Sequence, residues 1–415
     1  MKQYGCIGKK LTHSFSKEIH AMLADYAYDL IELSEEEIAP FFEKKEFSAI
    51  NVTIPYKQTV IPYLDSISPD AQRIGAVNTI VNKQGKLFGY NTDYYGMKAL
   101  IEKVGIDMTG KKVLILGTGG TSKTARVLAA DLGASSILTV SRRKTGDCIT
   151  YEEAVSAHAD AEVIINATPS GMYPDCESKP IDISFFHRLQ GVIDAVYNPL
   201  CTNLVLDARD RGIKAEGGLY MLVMQAVVAV ERFLDTKIDK ATAAKVFSSI
   251  YASKENIVLT GMPGSGKSTV GKQLNMDGFT FFDTDEEIEK RYGCTTKALI
   301  QEKGEMYFRN LEAEVIKDVA SVSGRIISTG GGAILRGDNI RCLKRNGKLF
   351  FLNAELSRLQ ATDSRPLSDT IEKLRKLYTE RLPLYQQSAD VIVPNLKTPQ
   401  EEADYIIQKR EELIL

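Results

Sequence analysis

Short apolar runs alternate with helical periodicities along nearly the whole 415-residue chain. AINVTI, KVLILG, ILTVS, EVIINA and VIDAVY are near-continuous apolar segments, the pattern of strands covered on both faces of a parallel sheet. Between them, SKTARVLAADLG and YEEAVSAHAD carry apolar residues at helical spacing. Residues 78–91 (NTIVNKQGKLFGYN) break the alternation and read as a hairpin turning at Gln84-Gly85. Residues 219–251 hold two helical stretches, LYMLVMQAVVAVERFLD and ATAAKVFSSIYA, with no strand between them. At Asn256 a new strand, NIVLTG, leads into a glycine loop, so residues 252–255 (ASKE) read as a polar connector between two α/β regions.

Composition narrows the class. Hydrophobic residues make up 44% and charged residues 26%, enough apolar material for more than one core. The 52 Lys and Arg against 54 Asp and Glu leave a net charge of −2, and neither half has the basic excess of a nucleic-acid binder. Six cysteines without a C-x-x-C pair argue against a disulfide framework or a thiolate metal site. The N-terminus lacks the apolar segment of a secretory signal, and the longest apolar stretch, residues 219–230, is too short to span a bilayer and contains Gln225. The expectation is a soluble cytoplasmic protein with small-molecule partners, without nucleic acid or membrane, its oligomeric state open.

The sharpest chemical signal lies in the second region. Residues 261–268 (GMPGSGKS) fit G-x-x-x-x-G-K-[ST] between a buried strand and a helix. In such a loop, backbone N–H groups from Gly264, Ser265, Gly266, Ser268 and Thr269 wrap phosphates, Lys267 reaches the β and γ oxygens, and Ser268 ligates Mg²⁺. Asp283 and Asp285 follow at the end of the strand FTFF. On an extended segment two carboxylates two residues apart point the same way and serve a metal and an acceptor together; a helix N-cap is the simpler role for Asp285, which precedes EEIEKRYG, and the two roles can coexist. Arg309, Arg365 and Arg381 stand beside short signatures rather than in anonymous surface sequence.

The first region carries a second nucleotide signal. Residues 117–124 (GTGGTSKT) follow the strand KVLIL and open a helix, although Ser122 stands where G-x-G-x-x-G has its third glycine. The next strand ends in Ser141-Arg142-Arg143-Lys144. An acid there would bind the ribose 2′-OH of NAD, whereas arginine accommodates the 2′-phosphate of NADP; a solvated basic turn is the alternative. Upstream, Lys57 (in NVTIPYK) and Asp93 (in GYNTDYYG) form a candidate proton-transfer pair. Ser14 and Ser16 offer two hydroxyls before a helix, either as caps or as contacts to a small anion.

Residues 254–415 resemble a shikimate kinase through GMPGSGKST, FFDTDEEIE, GEMYFRNLE, STGGG, RPL and ERLPLY, in the family's order. The resemblance implies that Asp283 supports Mg²⁺ beside Ser268 and that Asp285 holds and deprotonates the attacking hydroxyl. It implies that Arg309 and Arg381 bind the substrate carboxylate, that Gly331 approaches the ring, and that Arg358 and Arg365 serve ATP, the latter from a lid.

Residues 1–251 resemble shikimate dehydrogenase through THSFS, NVTIPYK, GAVNTI, GYNTDYYG, GTGGTSK, NATPSGMYP, DAVYNPL and GGLYMLVMQA. That resemblance implies substrate contacts at Ser14, Ser16, Thr53, Lys57, Asn78, Asp93, Tyr197 and Gln225, with Lys57 and Asp93 catalytic. It implies an NADP site lined by Gly117, Thr118, Gly119, Gly120, Thr121, Ser141, Arg142, Arg143, Ala195 and Gly218. Lys10 and Lys17 stand where the family has proline, Ser141 where it has asparagine and Arg143 where it has threonine.

The implied architecture is α/β throughout. A substrate domain (residues 1–95 and 219–251) and a Rossmann-like NADP domain (96–218) are followed by a P-loop domain like the nucleoside monophosphate kinases (254–415). The implied activity is reduction of 3-dehydroshikimate with NADPH, then phosphorylation of shikimate by ATP and Mg²⁺. Two rivals stay open: a quinate/shikimate dehydrogenase fused to a kinase, and a metabolite-sensing regulator built from inactive copies.

Overall fold

The computed structural model describes residues 3–11, 14–359 and 370–414. The chain divides into two compact units, Met1–Ile250 and Tyr251–Leu415.

The first unit holds two six-stranded sheets. In the first, β1 (Tyr4–Gly8), β2 (Tyr28–Glu32), β3 (Ala49–Val52), β4 (Ser66–Ile67), β5 (Thr79–Lys83) and β6 (Lys86–Tyr90) run in the order β2-β1-β3-β5-β6-β4. Strands β5 and β6 form the expected hairpin, with Gln84 and Gly85 both at positive φ as a two-residue turn of this kind requires. Strand β5 runs antiparallel to β3, so this sheet is mixed.

The second sheet contains β7 (Lys112–Leu116), β8 (Ser136–Ser141), β9 (Ile149–Thr150), β10 (Val163–Asn166), β11 (Gly191–Asp194) and β12 (Lys214–Glu216). All are parallel, in the order β12-β11-β10-β7-β8-β9. Alternate residues feed two cores: Leu114, Leu116, Ile164 and Val192 in one, Val113, Ile115, Val163, Ile165 and Ile193 in the other. A strand buried on both faces must be apolar at every position, and this is why the runs read as continuous. The chain winds outward from β7 through β8 and β9, then returns to add β10 on the other side. That order reversal opens a crevice at the carboxyl ends of β7 and β10, where open α/β sheets bind ligands.

The second unit has one parallel sheet, β13 (Asn256–Thr260), β14 (Thr280–Asp283), β15 (Arg325–Ser328), β16 (Gly347–Leu352) and β17 (Val391–Val393), in the order β14-β15-β13-β16-β17. The glycine loop leaves central strand β13 and enters the helix Lys267–Gln273. Strand register sets Asp283 level with Ser328, and Ser328 level with Leu259.

Two expectations change. Residues 252–254 are not a connector but the last turn of the helix Lys240–Lys254, so the unit boundary falls inside a helix. Its final turn belongs to the second unit, within which the buried Arg410 guanidinium donates to the Ala252 and Glu255 carbonyls and lies 3.4 Å from the Glu255 carboxylate. The helix Asp93–Val104 also crosses the expected limit at residue 95, and Met97, Leu100 and Ile101 pack into the core beside the second sheet. Cys6, Cys148 and Cys294 carry free thiols. Among the described residues no helix is long and apolar enough to cross a membrane.

Two candidate active sites

In the first unit, helix packing assembles a polar cluster from distant segments. Gly96 makes the closest approach: a Cβ there would lie 2.4 Å from the Met221 carbonyl oxygen and 2.9 Å from Gln225 Cβ. The helices Asp93–Val104 and Leu219–Leu234 therefore pack backbone to backbone, bringing Asp93 and Gln225 to Asn78 at the start of the hairpin. The Asn78 amide donates to Asp93 Oδ1 at 2.9 Å, Thr92 Oγ1 at 3.0 Å and Gln225 Oε1 at 3.4 Å. Its Oδ1 accepts the Thr92 backbone N–H at 2.6 Å.

The Lys57 ammonium donates to Asp93 Oδ2 at 2.5 Å, with 13% and 8% of the two side chains exposed. Its aliphatic stem faces Gly120, where a Cβ would lie 3.3 Å from Lys57 Cδ. The lysine of the turn after β3 thus lies against the glycine loop of the second sheet. Asn51 extends the cluster beneath: its amide donates to the Asn78 carbonyl and to Thr79 Oγ1, and its Oδ1 accepts the Tyr28 hydroxyl at 2.7 Å.

The remaining residues named from sequence fall around these two features. Ser14 Oγ accepts the Ser16 N–H at 3.3 Å, and Ser16 opens the helix Ser16–Leu23 without capping it, the N-cap position being Phe15. Thr53 lies against Gly8, and Tyr197 meets the Phe15 ring edge-on at 5.2 Å. Burial pushes the Tyr197 phenol up to about 12.

At the crevice, Gly117 has φ +105° and abuts Thr168 and Ala167 of the loop after β10. Gly119 precedes the helix Gly120–Asp131 with open space where a Cβ would stand, and Thr118 is exposed beside it. Ser122, at the third-glycine position, donates to the Gly117 carbonyl and closes the turn from within the helix. Ser141 ends β8 and its Oγ accepts the Arg143 N–H; Arg142 and Arg143 are exposed. Gly218 packs on Ala195, whose carbonyl oxygen would lie 2.3 Å from a Cβ.

A buried group that the sequence reading did not single out supports this edge. Asp194 accepts from the Thr202 hydroxyl at 2.6 Å, from the Val196 N–H at 2.9 Å and from the Asn166 amide at 2.9 Å. Burial nevertheless raises its carboxyl to about 7.

In the second unit, strand register brings the serines and acids together. The Ser268 and Ser328 hydroxyls both donate to Asp283 Oδ2. Asp283 Oδ1 caps the helix Thr284–Tyr292 by accepting the Asp285 N–H at 3.0 Å. Asp285 therefore sits in a helical first turn, not on an extended segment: the cap bends the chain one residue after the strand. Burial, with Asp283 and Glu312 nearby, raises the Asp285 carboxyl to about 7 against the opposing pull of Lys267 and Arg309. The Lys267 ammonium donates to the Gly261 and Met262 carbonyls. Within the loop, Gly264 and Gly266 have positive φ, Ser265 is buried and Thr269 exposed.

Arg309 donates to the fully buried Glu312 at 2.8 Å and to Glu305 at 3.1 Å. Burial raises the Glu312 carboxyl despite Arg309, and its Oε1 has no hydrogen-bond partner. The glycine turn 330–332 threads between these groups. A Cβ at Gly330 would meet Glu312 Oε1 at 2.4 Å and Asp285 Oδ1 at 2.8 Å; one at Gly332 would meet Arg309 Cζ at 2.1 Å; one at Gly331 would meet Pro263 of the phosphate loop at 2.8 Å. Arg381 donates to the Gly331 carbonyl at 2.8 Å. Arg358 is exposed and donates to Asn395 Oδ1 and the Leu396 carbonyl. Arg365 lies outside the described residues. Glu312 was within reach of sequence reasoning, three residues after Arg309 on the same helix face.

These two sites define two nucleotide-dependent enzymes on one chain, a doubly wound oxidoreductase followed by a P-loop kinase. Residues 6–80 match the family model for the shikimate dehydrogenase substrate binding domain, and residues 263–411 the model for shikimate kinase. The chain is 36% identical over 273 residues to the NADP(+) shikimate dehydrogenase of Clostridium beijerinckii, covering 62% of this chain and 99% of that protein. Among solved structures, shikimate dehydrogenase 1 from Peptoclostridium difficile matches with TM-score 0.57 and 38% identity over 60% of this chain and 98% of its own. A shikimate 5-dehydrogenase from Thermus thermophilus, solved with NADP(H) and shikimate, matches with TM-score 0.54 and 26% identity over 60% and 99%. The chain belongs to the shikimate dehydrogenase family and carries a shikimate kinase domain behind it, a bifunctional fusion.

Proposed function

We propose that the first unit reduces 3-dehydroshikimate to shikimate and that the second phosphorylates the 3-hydroxyl of shikimate. NADPH supplies the reducing equivalents and Mg²⁺-bound ATP the phosphoryl group. The observation that carries the reading is the Lys57–Asp93 pair, a half-buried ammonium on a buried carboxylate, lying against a dinucleotide-type glycine loop.

Lys57 donates a proton to the carbonyl oxygen as it becomes an alkoxide, and Asp93, held by Asn78, keeps the ammonium aimed. Ser14, Ser16, Thr53, Tyr197 and Gln225 hold the acid and hydroxyl groups of the substrate. The loop Gly117–Thr121, with Ala195 and Gly218, fits a dinucleotide: an open glycine at a helix N-terminus admits the pyrophosphate. Ser141, Arg142 and Arg143 stand at the end of the next strand, where a 2′-phosphate is read.

In the second unit Gly264–Thr269, with Lys267, cradle the ATP phosphates, and Arg358 and Arg365 serve the nucleotide. Ser268 and Asp283 fit Mg²⁺, since hard oxygen donors converge there beside a phosphate loop. Arg309 and Arg381 clamp the shikimate carboxylate, Gly331 lets the ring approach, and Asp285 takes the proton of the attacking hydroxyl. The test is one reaction mixture of full chain, 3-dehydroshikimate, NADPH, ATP and Mg²⁺, assayed for shikimate 3-phosphate. NADPH oxidation without that product refutes the second step, and no oxidation refutes the first.

A further inference from the structure

The helix Ile371–Ser388 carries a group that the proposed kinase chemistry does not use. Tyr385 is 1% exposed and stacks on Phe351 of β16, with ring centroids 5.0 Å apart and planes 5° from parallel. Its hydroxyl donates to the Gly331 carbonyl oxygen at 2.5 Å, the same oxygen that accepts from Arg381 at 2.8 Å. A carbonyl oxygen has two lone pairs, and here one tyrosine and one guanidinium take them. Gly331 is pinned on its other side by Pro263.

We propose that Tyr385 is a positioning residue for the acceptor: its hydroxyl fixes the Gly331 carbonyl and so sets how many N–H groups Arg381 has left for a carboxylate. The argument rests on the kinase reading above. Arg381 is buried on the same helix, one turn before Tyr385, so its guanidinium has little freedom. With Tyr385 holding one lone pair, a single Arg381 N–H satisfies the other and the rest of the fork is left for a carboxylate. Without the hydroxyl, the buried carbonyl draws a second N–H from Arg381, because an unmet buried acceptor is unfavourable. That N–H is then lost to the substrate carboxylate, while the phosphate loop is untouched.

Tyr385→Phe keeps the ring and its stacking on Phe351 and removes only the hydroxyl. In the full chain we expect KM for shikimate to rise about three- to tenfold, the worth of one neutral hydrogen bond. KM for ATP and kcat should stay within about twofold of the parent and the melting temperature nearly unchanged, since only one bond is lost. Arg381→Lys supplies the second arm. If Tyr385 acts through Arg381, adding Tyr385→Phe to Arg381→Lys raises KM for shikimate no further. An unchanged shikimate KM in Tyr385→Phe, or additive effects in the double variant, overturns the proposal. So does a joint rise of both KM values with a lowered melting temperature, which marks a merely structural residue. Absence of shikimate phosphorylation by the parent chain refutes the kinase reading itself and is read before either variant.

Discussion

Lys57 and Asp194 show two ways of keeping a charge-bearing group inside a protein. The lysine has a carboxylate partner at 2.5 Å, so its charge is matched where it is needed. Lys57→Met keeps the stem against Gly120 but removes the ammonium proposed to carry the proton. Reduction by the first unit should fall by about 10²–10⁴ in kcat, with phosphorylation by the second unit retained, both assayed on the same preparation. Near-parental reduction would remove Lys57 from the mechanism. Asp194 is surrounded by donors yet has no cation, and burial wins. Its carboxyl holds a proton up to about 7 in the folded chain but only to its ordinary 3.8 when unfolded. Between those values the folded state binds more protons, so this group's stabilisation is complete below the window and lost as pH rises through it. Asp194→Asn should therefore flatten the stability–pH slope of the first unit between about pH 4 and 7, by up to about 1.4 kcal/mol per pH unit. Parallel slopes in urea unfolding of parent and variant would show that Asp194 titrates normally.

At the scale of elements, close helix contact brings Asp93 and Gln225 to Asn78. Gly96→Ala puts a methyl into the Met221 carbonyl, so the helices Asp93–Val104 and Leu219–Leu234 must move apart. Overpacking of this kind destabilises by about 1–3 kcal/mol, or roughly 2–10 °C in the melting of the first unit, with dehydrogenase activity lowered and kinase activity kept. An unaltered melt would mean that the helices are free to separate. Strands were legible in the sequence because doubly covered strands are apolar at every position, as in KVLIL and NIVLT. The hairpin was legible because Gln84-Gly85 stands between two apolar runs. The chemical motifs were legible where their members are neighbours in sequence. Asp285 was misplaced because a cap can start a helix at once after a strand, and periodicity over three residues cannot show that. Thr92 and Tyr385 escaped notice because their partners are remote: Thr92 reaches Gln225 across 133 residues and Tyr385 reaches Gly331 across 54.

At the scale of the molecule, the junction is the feature that sequence patterning obscured, since ASKE is polar enough to pass for a linker while forming a helix end. A fragment beginning at Tyr251 retains the partners of Arg410; one beginning at Asn256 removes Ala252 and Glu255 and leaves a buried guanidinium unpaired. The shorter fragment should lose about 3–5 kcal/mol in urea unfolding relative to the longer, and equal midpoints would show that the clamp adds nothing. The same clamp has a consequence for synthesis. Arg410 joins Ala252 across 158 residues and belongs to the helix Pro399–Ile414. At ribosomal speeds of roughly 5–20 residues per second, the first unit has on the order of 10–30 s to fold before that arginine exists. Translation therefore orders the two enzymes in time: the dehydrogenase unit can be complete on the nascent chain before the kinase unit can make its Arg410 contact.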